Sequence, residues 1–132
     1  MTQFDETQLS AEDQMSLRSG VSAFEAKHFS SAMQLLSPIA ELGHPDSQYR
    51  VAIMFQNGLG MAVNQVQALK WMQASAEQGY ALAQHGLGFM YMQGECVEQS
   101  NERALHWFKL AAEQGLSGAQ TIVDMLEQKQ AS

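Results

Sequence analysis

Apolar residues recur along this chain at the three- and four-residue spacing of helices, and not at the alternating spacing of strands. Only two prolines, Pro38 and Pro45, occur in the 132 residues, so few positions disfavour a helix. Residues 1–9 carry no helical pattern, and we expect a flexible N-terminus there. The pattern predicts about seven helices: near 10–26, 30–42, 45–57, 65–78, 81–93 and 101–114, with a last one within 115–132.

The predicted helices form repeated pairs. Gly43, Gly79 and Gly115 lie 36 residues apart, and the segment Ala68 to Gly79 returns as Ala104 to Gly115 with its tryptophan in register. Glycine suits the left-handed conformation that often follows the last turn of a helix. We therefore predict one domain with four parts: a first helix pair at 10–42, repeats at 43–78 and 79–114, and a capping helix with a tail at 115–132.

The second repeat carries the motif of a known family. Its motif positions are Ala83, Leu87, Gly88, Tyr91, Gly94, Ala104, Leu105, Trp107 and the run Ala111 to Gly115. This pattern closely resembles the Sel-one-like repeat, a branch of the tetratricopeptide-like superfamily, and the resemblance extends from Gly43 to the C-terminus. The first helix pair is more similar to an ordinary tetratricopeptide repeat. One departure is Ala52, which stands where the second repeat has Gly88.

The resemblance implies an all-α fold, a short right-handed α-solenoid of antiparallel helix pairs. It also implies an adaptor or scaffold, in a regulatory or signalling complex, that binds a peptide or protein on its concave face. In such solenoids the first helix of each pair lines that face, so the repeat register selects candidate residues. Aligning the first helices gives three rows: Leu17, Tyr49, His85 and Thr121; Val21, Ile53, Phe89 and Met125; and Phe24, Gln56, Met92 and Gln128.

Two interpretations of the apolar row members remain open, because apolar residues on helices are most often buried. They form either a groove or contacts between neighbouring helices. The amphipathic and adaptable side chains of Tyr49, Gln56, His85 and Met92 are more typical of a binding surface. The opposite flank of the same helices is expected to be core, and its members are Val51, Phe55, Leu87 and Tyr91.

Composition narrows the class of ligand. Fourteen acidic and seven basic residues give a formal charge of −7, which repels polyphosphate and predicts no binding to nucleic acid. No apolar run approaches the roughly 20 residues of a membrane helix, so we expect no membrane insertion. The single cysteine, Cys96, excludes an internal disulfide and favours the cytoplasm, although a removed signal peptide would leave no trace.

The sequence offers little for catalysis or metal binding. His28, His44, His85 and His106 fall on different elements without the spacing of a zinc site. Cys96 lies near acidic residues, whose charge disfavours a reactive thiolate. We predict no catalytic residue, no metal and no cofactor, which leaves an enzyme as a remote alternative.

A second functional hypothesis is a self-associating structural subunit. The last helix has no following partner helix, so one end of the solenoid is open. Ile122, Met125 or Leu126 could pair there with a second copy, or two copies could meet through the groove.

Overall fold

A computed structural model describes residues 4–131, which contain seven α-helices, one short 3₁₀-helix at Glu6–Gln8 and no strand. Each predicted helix is present, with ends within two residues of the predicted ones, apart from the last, which runs further than expected. The helices are α1 Ala11–Glu25, α2 Phe29–Glu41, α3 Pro45–Asn57, α4 Gln65–Glu77, α5 Ala81–Gln93, α6 Asn101–Glu113 and α7 Ala119–Ala131.

Local sequence explains where these helices begin. The side chains of Ser10, Asn64 and Ser100 each accept a hydrogen bond from the backbone N–H three residues on, at the starts of α1, α4 and α6. His44 caps α3 in the same way, through Nδ1 and the Ser47 N–H. Polar caps at these positions satisfy amide groups that the first helical turn leaves without partners.

The helices stack in chain order, and each one packs against the next. We call α1, α3, α5 and α7 the first helices, and α2, α4 and α6 the second helices. One cluster of buried side chains runs from α1 to α5, and a second joins α6 to α7. The result is an α-solenoid in which neighbouring helix pairs bury each other's apolar faces.

Small residues on the first helices face large residues on the second helices. A Cβ on Gly20 would lie 2.5 Å from Leu36 Cδ2, and a Cβ on Gly88 would lie 3.0 Å from the Phe108 ring. The equivalent pair in the intervening repeat is Ala52 and Met72, and both side chains are fully buried. Where the first helix has Ala52 instead of Gly88, the second helix therefore has the slimmer Met72 instead of Phe108.

A repeated set of amide hydrogen bonds joins each repeat to the previous one. Gln78 Nε2 donates to the Gly43 carbonyl at 2.7 Å and to Gln48 Oε1 at 2.8 Å, while Gln48 Nε2 donates to the Ala40 carbonyl at 3.1 Å. One repeat later, Gln114 and Gln84 bond in the same way to Gly79 and Ala76. We call each set the amide relay.

Residues 4–9, which belong to the segment predicted to be flexible, contact His44 and α1. Phe4 meets the buried His44 ring edge-on at 5.3 Å between centroids, and Glu6 accepts a hydrogen bond from His44 Nε2. Gln14 Nε2 also donates to the Glu6 and Leu9 carbonyls. We call residues 4–9 the N-terminal strap; its Glu6 gives the second ring nitrogen of the buried His44 a hydrogen-bond partner. Residues 1–3 of the predicted flexible segment lie outside the described residues.

Helix α7 continues into the predicted C-terminal tail and ends at Ala131. The basic side chain of Lys129 in its last turn suits the negative end of the helix dipole and favours this extension.

Replacing Gln84 by leucine tests the amide relay. We expect the free energy of unfolding, measured with urea, to fall by about 1–3 kcal/mol, since the Ala76 carbonyl and Gln114 lose a buried partner. Gln120 holds the same position one repeat later but is exposed, so Gln120→Leu should change it by less than about 0.5 kcal/mol. Equal losses in the two variants would contradict a stabilising role for the relay.

Gly88→Ala should lower the free energy of unfolding by roughly 1–3 kcal/mol, because the added methyl meets the Phe108 ring. Phe108→Met replaces that ring by methionine, the residue found at the equivalent position, Met72, of the neighbouring repeat. The double variant, which copies Ala52 and Met72, should be more stable than the sum of the single effects by about 1 kcal/mol. Additive effects in thermal or urea unfolding would show that the two positions are independent.

Candidate protein-binding surface on the first helices

The three predicted rows lie on the first helices, and the structure divides them by burial. Leu17 is buried in the core at 9% exposure and forms part of the wall of a cavity of about 400 Å³ beside Val21 and His44. Thr121 and Gln128 are exposed, and Met125 is 50% exposed. The half-buried members are Val21, Phe24, Tyr49, Ile53, Gln56, His85, Phe89 and Met92.

Polar contacts between repeats fill the surface of α3. Asp46 accepts hydrogen bonds from the Tyr80 hydroxyl at 2.6 Å and from Arg50 Nε at 3.0 Å. The Arg50 guanidinium lies over the Phe24 ring at 4.9 Å, and the Tyr49 and Tyr80 rings are 5.6 Å apart. Burial, and then the bond to Asp46, raises the pKa of Tyr80, so the hydroxyl remains a donor at neutral pH. Phe24 and Tyr49 are thus already in contact with neighbouring repeats.

Aromatic packing dominates α5. The His85 ring is 4.9 Å from Phe89 and 5.3 Å from Phe108, and both contacts are edge-on. Among residues 4–131, the buried His85 Nδ1 has no hydrogen-bond partner, and burial lowers the pKa of His85. The imidazole is therefore neutral at pH 7. It packs among the aromatic rings as an uncharged amphipathic group.

The helix α5 contains no charged residue. Leu82, His85, Phe89 and Met92 follow one another at spacings of three and four, which places them on one helical face. Leu82 is 42% exposed, and the rows chosen by repeat register omitted it. Its spacing from His85 was the signal that could have found it. We call the set of exposed and half-buried residues on this side the first-helix strip: Val21, Phe24, Tyr49, Ile53, Gln56, Leu82, His85, Phe89, Met92, Thr121, Met125 and Gln128.

The strip shares residues with the core at both of its flanks. Phe89 and Met92 pack against the cluster that joins α6 to α7, and Gln56 Nε2 donates to Glu95 Oε1 at 3.0 Å in the loop after α5. On the flank expected to be core, Val51 and Leu87 are fully buried. Phe55 and Tyr91 are half-buried against the core, and Arg103 covers the Tyr91 ring at 5.8 Å.

The described residues contain no group of side chains that could form a metal centre. Between residues 4 and 131, no three His, Cys, Asp or Glu side chains come together in a way that could hold a metal ion. Burial and the neighbouring Glu95 raise the pKa of the Cys96 thiol, which reduces its nucleophilicity. In the same part of the chain, no helix has the length and apolar character needed to cross a membrane.

Stacked helix pairs and a partly apolar surface on the first helices define a repeat protein of the α-solenoid class. The family model of the Sel1 repeat matches residues 45–80 and 81–116, more than half of the chain. The chain belongs to the Sel1 repeat family. The matched ranges begin two residues after the predicted repeats, and Sel1 repeats generally act as protein-protein interaction modules.

Two solved structures share the fold. A Sel1 repeat protein from Oxalobacter formigenes has a TM-score of 0.78 at 30% identity, over 82% of this chain and 44% of that one. The protein c5321, a protective antigen of uropathogenic Escherichia coli with an SLR fold, has a TM-score of 0.71 at 33% identity, over 74% and 21%. The matched part of this chain thus spans less than half the length of each of these two proteins. A search of the curated proteins gives no match.

The burial of His85 predicts a pH dependence. Its folded-state pKa lies below the ordinary value of 6.5, so the unfolded chain takes up a proton first as the pH falls. The stability associated with neutral His85 is present above 6.5 and is lost as the pH falls toward the folded-state pKa. NMR titration of the ring should give a pKa below 6.5, and His85→Gln should reduce the acid-side loss of stability.

His28→Gln, the same substitution at an exposed histidine outside the strip, is the variant for comparison. A His85 pKa at or above the ordinary value would contradict the prediction.

Proposed function

We propose that this chain is an adaptor or scaffold that binds a segment of a partner protein on the first-helix strip, in a regulatory or signalling assembly. The observation that supports this most is the uncharged helix α5, which exposes Leu82 beside half-buried His85, Phe89 and Met92. Surfaces depleted of charge and rich in aromatic and methionine side chains are typical of the centres of protein interfaces.

The apolar surface extends across neighbouring repeats. Ile53 on α3 and Met125 on α7 occupy the register position of Phe89, so three first helices contribute to one row. Such a row fits an amphipathic helix or an extended segment with apolar anchor residues. Because the helices are already stacked, the surface needs little ordering when a partner docks, which lowers the entropic cost of binding.

Self-association through α7 is the weaker candidate. Leu126 is buried at 2% exposure and Ile122 is half-buried against α6, so of the three residues suggested for this contact only Met125 is exposed. Asp124 occupies the place that Gly88 holds on α5, where α6 packs, and it is exposed. A carboxylate at this place disfavours the docking of another helix in the same manner.

We propose no enzymatic activity, since the half-buried, weakly nucleophilic Cys96 thiol and the scattered histidines do not form a reactive group. We also propose a cytoplasmic location, which the single unpaired cysteine supports.

The test is a comparison of surface variants as baits. Leu82→Arg combined with Met125→Arg places two charges on exposed parts of the strip, and we expect it to lose partner proteins that the wild type captures from the native cell. Val66→Arg on α4 is the matched control, because Val66 is 77% exposed outside the strip. All three proteins should have equal melting temperatures, since the changed side chains contribute little to the core.

The proteins that the wild type and the Val66 variant both capture, and the double variant does not, are then purified and titrated directly. Equal binding of one such protein to the wild type and the double variant would contradict the proposal. Sedimentation at several concentrations tests self-association. That function predicts an average mass that rises with protein concentration and is lower for Met125→Arg.

A further inference from the structure

Within residues 4–131, a single side-chain atom is enclosed and lacks a hydrogen-bond partner, and it is Nδ1 of His85. Enclosed polar atoms in folded proteins nearly always have partners, and exceptions often coincide with functional sites. His85 belongs to the first-helix strip, on α5. Its other ring nitrogen, Nε2, also forms no hydrogen bond within residues 4–131, but it reaches the surface.

The enclosed Nδ1 decides which atom of the neutral ring carries the hydrogen. A hydrogen on Nδ1 would be an enclosed donor in a ring that packs edge-on against Phe89 and Phe108. A hydrogen on Nε2 lies at the surface, where water or a ligand can accept it. Because enclosed donors without partners are rarer than enclosed acceptors without partners, we assign the hydrogen to Nε2. His85 therefore presents an uncharged N–H donor on the strip.

The same register row carries a donor on two other first helices. The Tyr49 hydroxyl on α3 and the Thr121 hydroxyl on α7 form no hydrogen bond within the described part of the chain. Burial raises the pKa of Tyr49, so its hydroxyl stays protonated. Thr121 is exposed, and the Tyr49 hydroxyl is not enclosed. Three uncharged donors thus follow the 36-residue period, one on each of α3, α5 and α7.

Uncharged donors beside apolar side chains suit uncharged acceptors. Helix α5 has no charged residue, and the chain has a formal charge of −7, so a carboxylate would lose its water here without gaining a cation on α5. Backbone carbonyls are the common uncharged acceptors of a protein segment. In a bound helix they are used internally except in the last turn, so a helix would leave the row unpaired. The row therefore favours an extended segment.

Spacing selects the kind of extended segment. Packed helices lie roughly 10 Å apart, and a polyproline II segment rises about 9 Å in each turn of three residues. Every third carbonyl of such a segment therefore points the same way, at about the spacing of the first helices. Its carbonyls are free to accept, because this conformation has no internal hydrogen bonds. Its prolyl rings would lie on the apolar row of Ile53, Phe89 and Met125, as prolines do on aromatic-lined grooves.

We infer that the occupant of the first-helix strip is a proline-rich segment in the polyproline II conformation, held by hydrogen bonds from Tyr49, His85 and Thr121 to carbonyls three residues apart. The inference rests on the proposed function, because it names the partner of the same surface. It also gives a reason for the unpaired Nδ1 of His85. The fold accepts one enclosed atom without a partner because the other ring nitrogen binds the ligand.

The experiment uses the full chain labelled with ¹⁵N and three blocked peptides. The first is nonaproline, which forms polyproline II, and the second is a glycine-serine repeat of the same length, which has as many carbonyls on a flexible chain. The third is a longer amphipathic helix of leucine, glutamate and lysine without net charge. We expect nonaproline to shift the amide signals of α3, α5 and α7 in a saturable way. The glycine-serine peptide should shift them little, because binding must order its chain.

Two variants each remove one donor and keep an aromatic ring. Tyr49→Phe and His85→Phe should each weaken the binding of nonaproline by about 3- to 10-fold, the effect of one lost hydrogen bond. Tyr91→Phe is the matched control, because it removes a hydroxyl from the opposite flank of α5 and should leave the affinity unchanged. His85→Phe should unfold at no lower urea concentration than the wild type, since it removes the unpaired Nδ1. Weaker binding without weaker folding separates a ligand-binding role from a structural one.

The outcomes distinguish this inference from the proposed function. Long-range ¹H–¹⁵N correlation spectra should show the ring hydrogen of His85 on Nε2. A hydrogen on Nδ1, equal affinity of nonaproline for the wild type and His85→Phe, or equal shifts with nonaproline and the glycine-serine peptide would each overturn the inference. If the amphipathic helix shifts the strip and nonaproline does not, the inference is wrong and the proposed function stands. If neither shifts the strip, the inference is again wrong, and the capture of partner proteins tests the proposed function separately.

Discussion

The structure depends on the joint between consecutive helix pairs, because no pair buries its own apolar surface completely. At each of the two later joints, a glutamine at the end of a second helix donates to the carbonyl of the glycine one repeat earlier and to a glutamine on the first helix between them. These bonds satisfy polar groups inside an otherwise apolar contact. They fix the distance between repeats, and hence the spacing of the first helices.

The same joints determine which parts of the surface on the first helices are polar and which are apolar. Gly88 lets Phe108 approach α5 closely, and that ring then supports His85 and Phe89 from behind. On α3, the Asp46 bonds to Arg50 and Tyr80 use polar side chains for the same purpose. The strip is therefore polar and bonded to neighbouring repeats on α3, whereas it is apolar and uncharged on α5.

Much of the fold could be predicted from the sequence, since helix spacing and the glycine period are local signals. The candidate site was predicted less completely. Register placed His85, Phe89 and Met92 on one face, but it gave equal standing to Leu17, which is buried, and it omitted Leu82, which is exposed. A register compares positions within the repeats and contains no information about how closely neighbouring helices approach each other.

The sequence by itself determined seven helices, their pairing and the 36-residue repeat, because turn glycines and apolar spacing act over a few residues. Only the tertiary structure decided which apolar residues stay exposed and that the strap attaches to His44. Those relations join residues far apart in the chain. They depend on side-chain volumes and hydrogen-bond partners that become fixed only when the helix pairs stack.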